Sequence, residues 1–496
     1  MAACLQSGVG GESSGTGVRP QLPGAVRAAD ELIELVQRGA TRIPPLLLQH
    51  VALFDPASIP RSRGSVSRRM TAAVIIASTR LGRLDDAVEQ ARRELRSVGA
   101  VLEERDVESA EAVLWSAIAE AFASAGWSRE GASSALRALD VADREADAWI
   151  VHRGRALLAV CRAMNGEYDG AERAIREGGM VADLTGAGAE STFNDYPFFL
   201  AAILVASAAF DSARLRTLSE RVRSIDPEDE TMEVTARAAE AMALLVDGRL
   251  DQAAAAVATI THGTAGDQRQ HMVRGFALGM QADILLARGD PRRALRLLEG
   301  VPSTGSHSLC FDMQRASAHL QLGQEREALA ATAGCIRLGA EHCLRTLPPL
   351  LLRRAIALER LGHEARADAS FAEAFHHILS SGSATPLLTL PHAETLRLLH
   401  RLREANPDLA PQAAEIASRV EAVPRDPAEP PSMPRLSPRE QVLADRLRSG
   451  ATLTQIAQDG HVSINTIKSQ ARSLYAKLDV SGRDEAVSLL ERRGYF

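Results

Sequence analysis

The chain has 496 residues, a length that predicts at least two domains, because a single hydrophobic core rarely serves so long a chain. Apolar residues make up 46% and aromatic residues only 4%, a balance that favours packed helices over sheets. The net charge of −6 conceals a difference, since residues 431–496 carry 10 Lys+Arg and 7 Asp+Glu while the remainder carries 47 and 56. A basic C-terminal segment on an acidic chain indicates a polyanionic partner for that segment alone.

The N-terminal segment, residues 1–24, is rich in Gly and Ser, and we expect a disordered tail. It lacks the charged and apolar regions of a signal peptide. The longest apolar run, residues 197–210, is shorter than the ~20 residues that a membrane span needs, so it predicts a buried core helix. These features predict a cytoplasmic protein without a membrane partner.

The cysteines show no CxxC spacing and their number is odd, which favours free thiols in a reducing compartment. They are Cys4, Cys161, Cys310, Cys335 and Cys343.

Within the helical region 25–420 a short pattern recurs over roughly residues 60 to 400: an apolar helical segment, a glycine, four residues, an alanine and a second apolar segment. The glycine–alanine pairs are Gly82 and Ala87, Gly166 and Ala171, Gly248 and Ala253, Gly289 and Ala294, Gly323 and Ala328, and Gly362 and Ala367. Looser copies are Gly126 with Ala132 and Ala208 with Ala213. The glycine ends one helix in a left-handed conformation, and the alanine lets the next helix approach closely. Since one such hairpin cannot bury its apolar face, the copies predict a stacked α-solenoid that resembles tetratricopeptide repeats.

Residues 421–435 contain five prolines in fifteen positions, a density that no helix tolerates. This segment predicts an extended, fairly stiff linker and the clearest domain boundary in the sequence. The predicted organisation is therefore a tail at 1–24, a repeat domain at 25–420, a linker at 421–435 and a C-terminal domain at 436–496.

The C-terminal domain opens with Ser437, Pro438 and Glu440, the pattern of a capping box with proline at the first helical position. Val442, Leu443 and Leu447 are expected on one buried face of this helix.

Three further short helices are predicted in this domain. A second helix starts near Thr452, the chain turns at Gly460 and His461, Ser463 caps a third helix and Asp484 opens a fourth. Four short helices with a tight turn between the second and third predict a helix-turn-helix domain.

The third helix has two distinct faces. Ile467, Ala471, Leu474 and Leu478 share the helical spacing of a core-facing stripe. Asn465, Lys468, Ser469 and Arg472 lie on the opposite side, where cations and short polar side chains suit the major groove of double-stranded DNA. Lys468 and Lys477 are the only two lysines in the chain.

This segment resembles the LuxR-type DNA-binding domain in a specific set of positions. They are Leu436, Ser437, Arg439, Glu440, Ile456, Ala457, Ser463, Thr466, Ile467, Lys468, Lys477, Leu478, Val480, Arg483, Glu485 and Ala486. The resemblance implies that Lys468, Ser469 and Arg472 approach bases and that Thr466 and Lys477 contact phosphates. With Asn465 on the same outer face, the predicted base-facing residues are Asn465, Lys468, Ser469 and Arg472. With Ser463 at the start of the helix, the predicted phosphate contacts are Ser463, Thr466 and Lys477. The resemblance also implies that the last helix, residues 484–492, forms a homodimer contact.

Three residues depart from the family pattern. Gln470 replaces a frequent histidine, Ala451 replaces a leucine, and Gly460 replaces an apolar residue in the turn. We expect Gly460 to loosen the turn by about 1 kcal/mol through the loss of a core side chain.

Enzymatic chemistry is not indicated. Residues 1–467 contain no lysine, so the sequence has no Walker A loop and the ATPase module of many large LuxR-type regulators is expected to be missing. His376 and His377 are adjacent on a predicted helix and point about 100° apart, which makes them poor joint metal ligands. No catalytic residue, cofactor or metal site is predicted.

The predicted fold class is all-α, a tetratricopeptide-like α-solenoid followed by a four-helix LuxR-type helix-turn-helix domain. The predicted function is that of a bacterial DNA-binding transcriptional regulator whose repeat domain receives an unknown small-molecule or protein effector. The alternative is an interaction scaffold with a non-essential helix-turn-helix. The sequence does not identify the effector, the promoter or the sign of regulation.

Overall fold

The computed structural model describes residues 22–58, 64–97, 105–142, 148–180, 192–261, 270–303, 308–422, 436–478 and 480–492. These residues form α-helices and short 3-10 turns without any strand, which confirms the all-α prediction. The helices of the body are α1 (Leu22–Gln37), α2 (Pro45–Ala52), α3 (Gly64–Arg80), α4 (Leu84–Ser97), α5 (Arg105–Ser124), α6 (Ser128–Val141), α7 (Ala148–Asn165), α8 (Tyr168–Glu177), α9 (Tyr196–Ala208), α10 (Ser212–Ile225), α11 (Glu230–Val246), α12 (Leu250–Thr261), α13 (His271–Ala287), α14 (Pro291–Leu297), α15 (Asp312–Gln321), α16 (Glu325–Leu338), α17 (Leu347–Arg360), α18 (Glu364–Ser381), α19 (Thr385–Leu388), α20 (His392–Ala405) and α21 (Ala410–Ala422). The C-terminal helices are α22 (Pro438–Arg448), α23 (Leu453–Asp459), α24 (Ile464–Leu478) and α25 (Arg483–Arg492).

The described helices of the body begin at Leu22 and end at Ala422. Helix α1 begins at Leu22, inside the segment that was expected to be a tail, and residues 1–21 lie outside the described part of the chain. Helix α21 ends at Ala422, and most of the proline-rich segment, residues 423–435, also lies outside it.

The turns of the repeat pattern have the predicted backbone. All six strict glycines and Gly126 have a positive φ, between 66° and 91°. At Gly82, for example, the amide of Arg83 donates to the Ser78 carbonyl at 2.8 Å, which closes the end of α3 and leads directly into α4. The six alanines that follow the strict glycines are at most 1% exposed, so they allow close contact between helices as predicted.

The two looser copies depart from the strict pattern, and the turn of the degenerate copy was placed wrongly. In the degenerate copy the residue with the left-handed backbone is Phe210, with φ 55°, and not Ala208, which still belongs to α9. The buried residue five positions later is Leu215. After Gly126 the equivalent position is Gly131, where an added Cβ would lie 2.6 Å from the Cys161 sulfur. A glycine therefore replaces the alanine where the neighbouring helix comes still closer.

The long apolar run forms a buried helix, as expected. Helix α9 buries Phe198 and Phe199 completely and contacts α7, α8, α10 and α11. No helix among the described residues is both long enough and apolar enough to cross a bilayer.

Consecutive helices of the body pack mainly on their chain neighbours, and the stack winds so that residues 175 to 185 positions apart also meet. Side chains bridge these successive turns through hydrogen bonds: Thr41 to Asp226 at 2.7 Å, Ser128 with Ser308 at 3.0 Å, Cys343 to the Met164 carbonyl at 3.1 Å, and Ser383 to the Ala208 carbonyl at 2.9 Å. At Gly166 a Cβ would lie 2.5 Å from the Arg345 backbone nitrogen, so this position requires glycine for space as well as for its φ of 91°.

A buried polar network joins the first helices of the body. The Glu120 carboxylate binds both Arg80, at 2.9 Å, and Arg153, whose side chain is 2% exposed. Arg153 also donates to Asn194 at 2.9 Å, and Asn194 donates to the Val36 carbonyl at 3.0 Å. The network therefore connects α1, α3, α5 and α7. Each of its buried charges has a partner of opposite charge, which offsets the cost of removing it from water.

Candidate nucleic-acid interface

The C-terminal domain has a small, continuous core formed by all four of its helices. The buried side chains are Leu436, Leu443, Ala444, Leu447, Ile456, Ala457, Ile467, Ala471, Leu474, Leu478, Ala486 and Leu490. The four residues predicted as the inner stripe of α24 are all among them. Val442 is 61% exposed, so its predicted place on the buried face of α22 is wrong. It lies about 100° from Leu443 around the helix, and Ala444 occupies the core instead.

Helix α22 begins with the predicted capping box. The Ser437 hydroxyl accepts from the Glu440 amide at 3.4 Å, and the Glu440 carboxylate accepts from the Ser437 amide at 2.6 Å. The same carboxylate accepts from Lys477 Nζ at 2.8 Å, which connects the start of α22 to the end of α24. Partial burial would raise the pKa of Glu440, but the hydrogen bonds from Lys477 and Ser437 outweigh this effect and lower it.

The turn between α23 and α24 spans residues 460–463 and gives the domain its helix-turn-helix geometry. Helix α23 begins with a second capping box, formed by Thr452 and Gln455. The left-handed residue of the turn is His461, with φ 49°, while Gly460 has an ordinary right-handed backbone. Gly460 is exposed, so this glycine leaves no hole in the core, and the expected loosening by a lost core side chain has no basis in the structure.

The first turn of α24 is capped as predicted. The Ser463 hydroxyl accepts from the Thr466 amide at 3.1 Å and lies 2.8 Å from the Thr466 hydroxyl. Both side chains are exposed at the N-terminus of a helix of 15 residues. Free amides and the helix dipole make such an end favourable for a phosphate.

The outer face of α24 exposes all four residues that were predicted to face bases: Asn465, Lys468, Ser469 and Arg472. Among the described residues, no acidic side chain forms an ion pair with Lys468 or Arg472. The buried stripe on the opposite side of the helix fixes this orientation. The face therefore offers two cations and two short hydrogen-bonding groups to a partner outside the domain.

Lys477 differs from the other predicted contacts because it already has an acidic partner, Glu440. Its side chain is 33% exposed. A phosphate at Lys477 would have to share the ammonium group with Glu440.

Several features of this surface were not predicted from the sequence. Val462 and Ile464, which flank the capping serine, are 43% and 37% exposed. Arg446 pairs with Asp459 at 3.2 Å, and Arg483 donates to the Leu447 carbonyl. The apolar pair could have been found from its position on either side of Ser463, whereas the two arginine contacts depend on the packing of separate helices.

Residues 434–490 match the family described as "GerE: Bacterial regulatory proteins, luxR family". No curated protein matches the chain. The helix-turn-helix geometry and the family match together define the C-terminal unit as a DNA-binding domain of LuxR type. The protein is thus a DNA-binding transcription regulator by its C-terminal domain, which is of a regulatory and not an enzymatic kind.

Proposed function

We propose that α24 enters the major groove of promoter DNA and that the body conveys an effector signal to this domain. The observation that carries the proposal is the exposed, acid-free face of α24 opposite its buried stripe. Lys468 and Arg472 supply charge and guanine recognition, and Asn465 and Ser469 reach other base edges. The exposed Ile464 side chain, beside these groups on the first turn, offers an apolar contact for a thymine methyl group.

Phosphate contacts fix the register of the helix on the duplex. Ser463 and Thr466 place hydroxyl groups at the N-terminus of α24, where a phosphate is favoured. Lys477 contributes a third phosphate contact from the other end of the helix. To make this contact, its ammonium group gives up part of its interaction with Glu440.

The active species on DNA is a homodimer. A single module of this size buries roughly 600–1,000 Å² of protein surface on DNA, which limits its affinity. Two copies joined through α25, on half-sites about one helical turn of DNA apart, would supply the remaining binding free energy.

The first experiment measures DNA binding by the intact protein. Sites are selected from random duplex DNA, and affinity is then determined by fluorescence anisotropy at several salt concentrations. Lys468→Ala and Arg472→Ala should each weaken specific binding by about 1–3 kcal/mol and relax the selected sequence. Lys477→Ala should weaken all duplexes to a similar degree and reduce the salt slope by about one.

The matched control is Arg446→Ala, which changes the net charge by the same amount outside α24. Its side chain is half exposed and already paired, so affinity should change little. Equal losses in Arg446→Ala and Arg472→Ala would contradict the groove assignment, because they would indicate a response to net charge alone.

A second experiment separates a regulator from an interaction scaffold. A chain that lacks residues 431–496 should lose promoter occupancy and its effect on transcription in the host. If this truncated chain keeps both its binding partners and its phenotype, the scaffold alternative is correct. Mass spectrometry of small molecules and proteins that co-purify with the intact chain would identify the effector.

A further inference from the structure

Three side chains with metal-binding chemistry, all from residues 310–342, meet inside the body. One sulfur comes from Cys310, just before α15, and the second from Cys335 in α16. The third group is His342, which follows the 3-10 turn Gly339–Glu341. One ligand atom from each residue lies within 4.8 Å of the other two. All three residues are at most 5% exposed.

The spacing of the two sulfurs fits a shared metal ion better than a disulfide bond. They lie 3.6 Å apart. Two thiolates on a tetrahedral Zn²⁺ with bonds of about 2.3 Å are separated by about 3.8 Å, whereas a disulfide brings them to about 2.0 Å.

The hydrogen-bond partner of the histidine suits a metal ligand. Its Nδ1 atom lies 2.9 Å from the Cys343 carbonyl oxygen and donates to it when it carries the proton. Nε2 of the neutral ring then carries the lone pair that coordinates a metal. A backbone carbonyl on the far nitrogen is a common partner of histidine ligands in metal sites.

An acidic side chain lies beside one of the two sulfurs. The Asp312 Oδ2 atom lies 3.2 Å from the Cys335 sulfur, and Oδ1 of the same carboxylate pairs with Arg315 at 2.6 Å. Leu350 is completely buried in one cluster with both cysteines. Two thiolates would neutralise a divalent cation, and Arg315 already balances the Asp312 carboxylate.

We infer that Cys310, Cys335 and His342 form a buried site for a thiophilic divalent cation such as Zn²⁺, with the Asp312 carboxylate beside it. On binding, the two thiols release their protons to solvent and the ion joins both sulfurs, so no oxidant or reductant is needed. The site lies at the contact between successive turns of the body, where the His342 carbonyl accepts from Arg129 at 3.1 Å. A bound ion would therefore stabilise that contact.

The test uses the full-length protein, purified with a reductant and freed of metal by a chelator during partial unfolding and refolding. Titration with Co²⁺ should give a thiolate-to-cobalt charge-transfer band that saturates at one ion per chain. Zn²⁺ should displace Co²⁺ and bleach the band, and elemental analysis of protein grown in zinc-supplemented medium should find one zinc per chain.

Variants assign the ligands. Cys310→Ser and Cys335→Ser should each abolish the band, and His342→Gln should weaken binding at least tenfold, a loss of the order seen for altered metal sites. The matched control is Cys161→Ser, which removes an equally buried thiol elsewhere in the body and should keep the full band. Tryptophan fluorescence, which comes from Trp115, Trp127 and Trp149 in the body, verifies that each variant is folded.

Three results would overturn the site. They are a wild-type protein that binds no Co²⁺ after refolding, a band that survives in the Cys310→Ser/Cys335→Ser double variant, and a Cys310–Cys335 disulfide as the main product in non-reducing peptide mapping.

Discussion

The body and the C-terminal domain use basic side chains in opposite ways. In the body, several arginines pair with acids of neighbouring helices: Arg80 and Arg153 with Glu120, and Arg401 with Glu359 and Asp368 at 2.6 and 2.8 Å. In the C-terminal domain, Arg472 and Lys468 project from α24 with no acidic partner in the described residues. A count of basic residues cannot distinguish these uses, because the difference lies in which acids the fold brings near.

This contrast separates stability from recognition. A paired, buried arginine contributes to the body only while its acid remains, and its removal should change unfolding. An unpaired, exposed cation contributes little to folding and remains available for a phosphate or a base. The three tryptophans, all in the body, report on the body alone.

The largest effect is expected from Glu120→Ala. The change leaves Arg80 and Arg153 buried without their shared carboxylate. Breaking a buried pair in this way costs about 3–5 kcal/mol. Urea unfolding followed by tryptophan fluorescence measures the loss, and DNA affinity of the folded variant should be unchanged. Asp251→Ala is the control, because that aspartate also pairs with an arginine, Arg288, but is 98% exposed. A cost as small as that of the control would refute the structural role of the network.

Gly131→Ala should destabilise the body by about 1–3 kcal/mol, although alanine is the better helix former. The added methyl would lie 2.6 Å from the Cys161 sulfur, between α6 and α7. Gly24→Ala is the control, since no atom lies within 4 Å of its added Cβ and only the gain in helix propensity remains. Thermal unfolding should shift in opposite directions in the two variants. A stabilised Gly131→Ala protein would mean that α6 and α7 do not approach as closely as described.

A smaller, pH-dependent effect is expected at Asp283. Burial raises the pKa of this carboxyl group to about 6, although Gln314 donates to it at 3.3 Å and Arg353 lies near. Because the folded pKa lies above the unfolded value of about 3.9, the favourable contribution of the protonated acid is lost as the pH rises through 6. Asp283→Asn should therefore be more stable than wild type at pH 8, by about 1–2 kcal/mol since the residue is only partly shielded from solvent. The advantage should shrink as the pH falls to 4. A constant difference across this range would argue against titration of Asp283.

The sequence predicted what depends on local chemistry. Capping residues such as Ser437 and Ser463, the turn glycines and the buried stripe of α24 follow from spacing along one or two helices, and the structure confirms them. The sequence did not predict contacts between separate helices. Glu440 and Lys477 are 37 positions apart, and Cys310, Cys335 and His342 form a cluster only because successive helices bring them together.

An error of register arose where a non-glycine residue takes the left-handed conformation. The fourth repeat turn was placed at Ala208 because no glycine marks it, whereas the backbone turns at Phe210. In the C-terminal domain the turn was predicted at Gly460 and His461, and His461 is the residue that adopts the left-handed conformation. In both regions the position of the left-handed residue depends on packing and on the lengths of the flanking helices, and only in part on residue type.

These two turns provide the smallest test of the contrast between the regions. A non-glycine residue in the left-handed conformation costs about 1–2 kcal/mol. Substitution by glycine removes this strain, but part of the gain is offset because glycine makes the unfolded chain more flexible. His461→Gly should therefore stabilise the C-terminal domain by about 0.5–1 kcal/mol, because this histidine is exposed and loses little packing. Hydrogen exchange of peptides from residues 453–478 should slow accordingly, while tryptophan fluorescence should not change. Phe210→Gly should help the body less, because a phenylalanine that is only 42% exposed gives up apolar contact. If His461→Gly accelerated exchange instead, the histidine ring rather than the backbone would be what holds this turn.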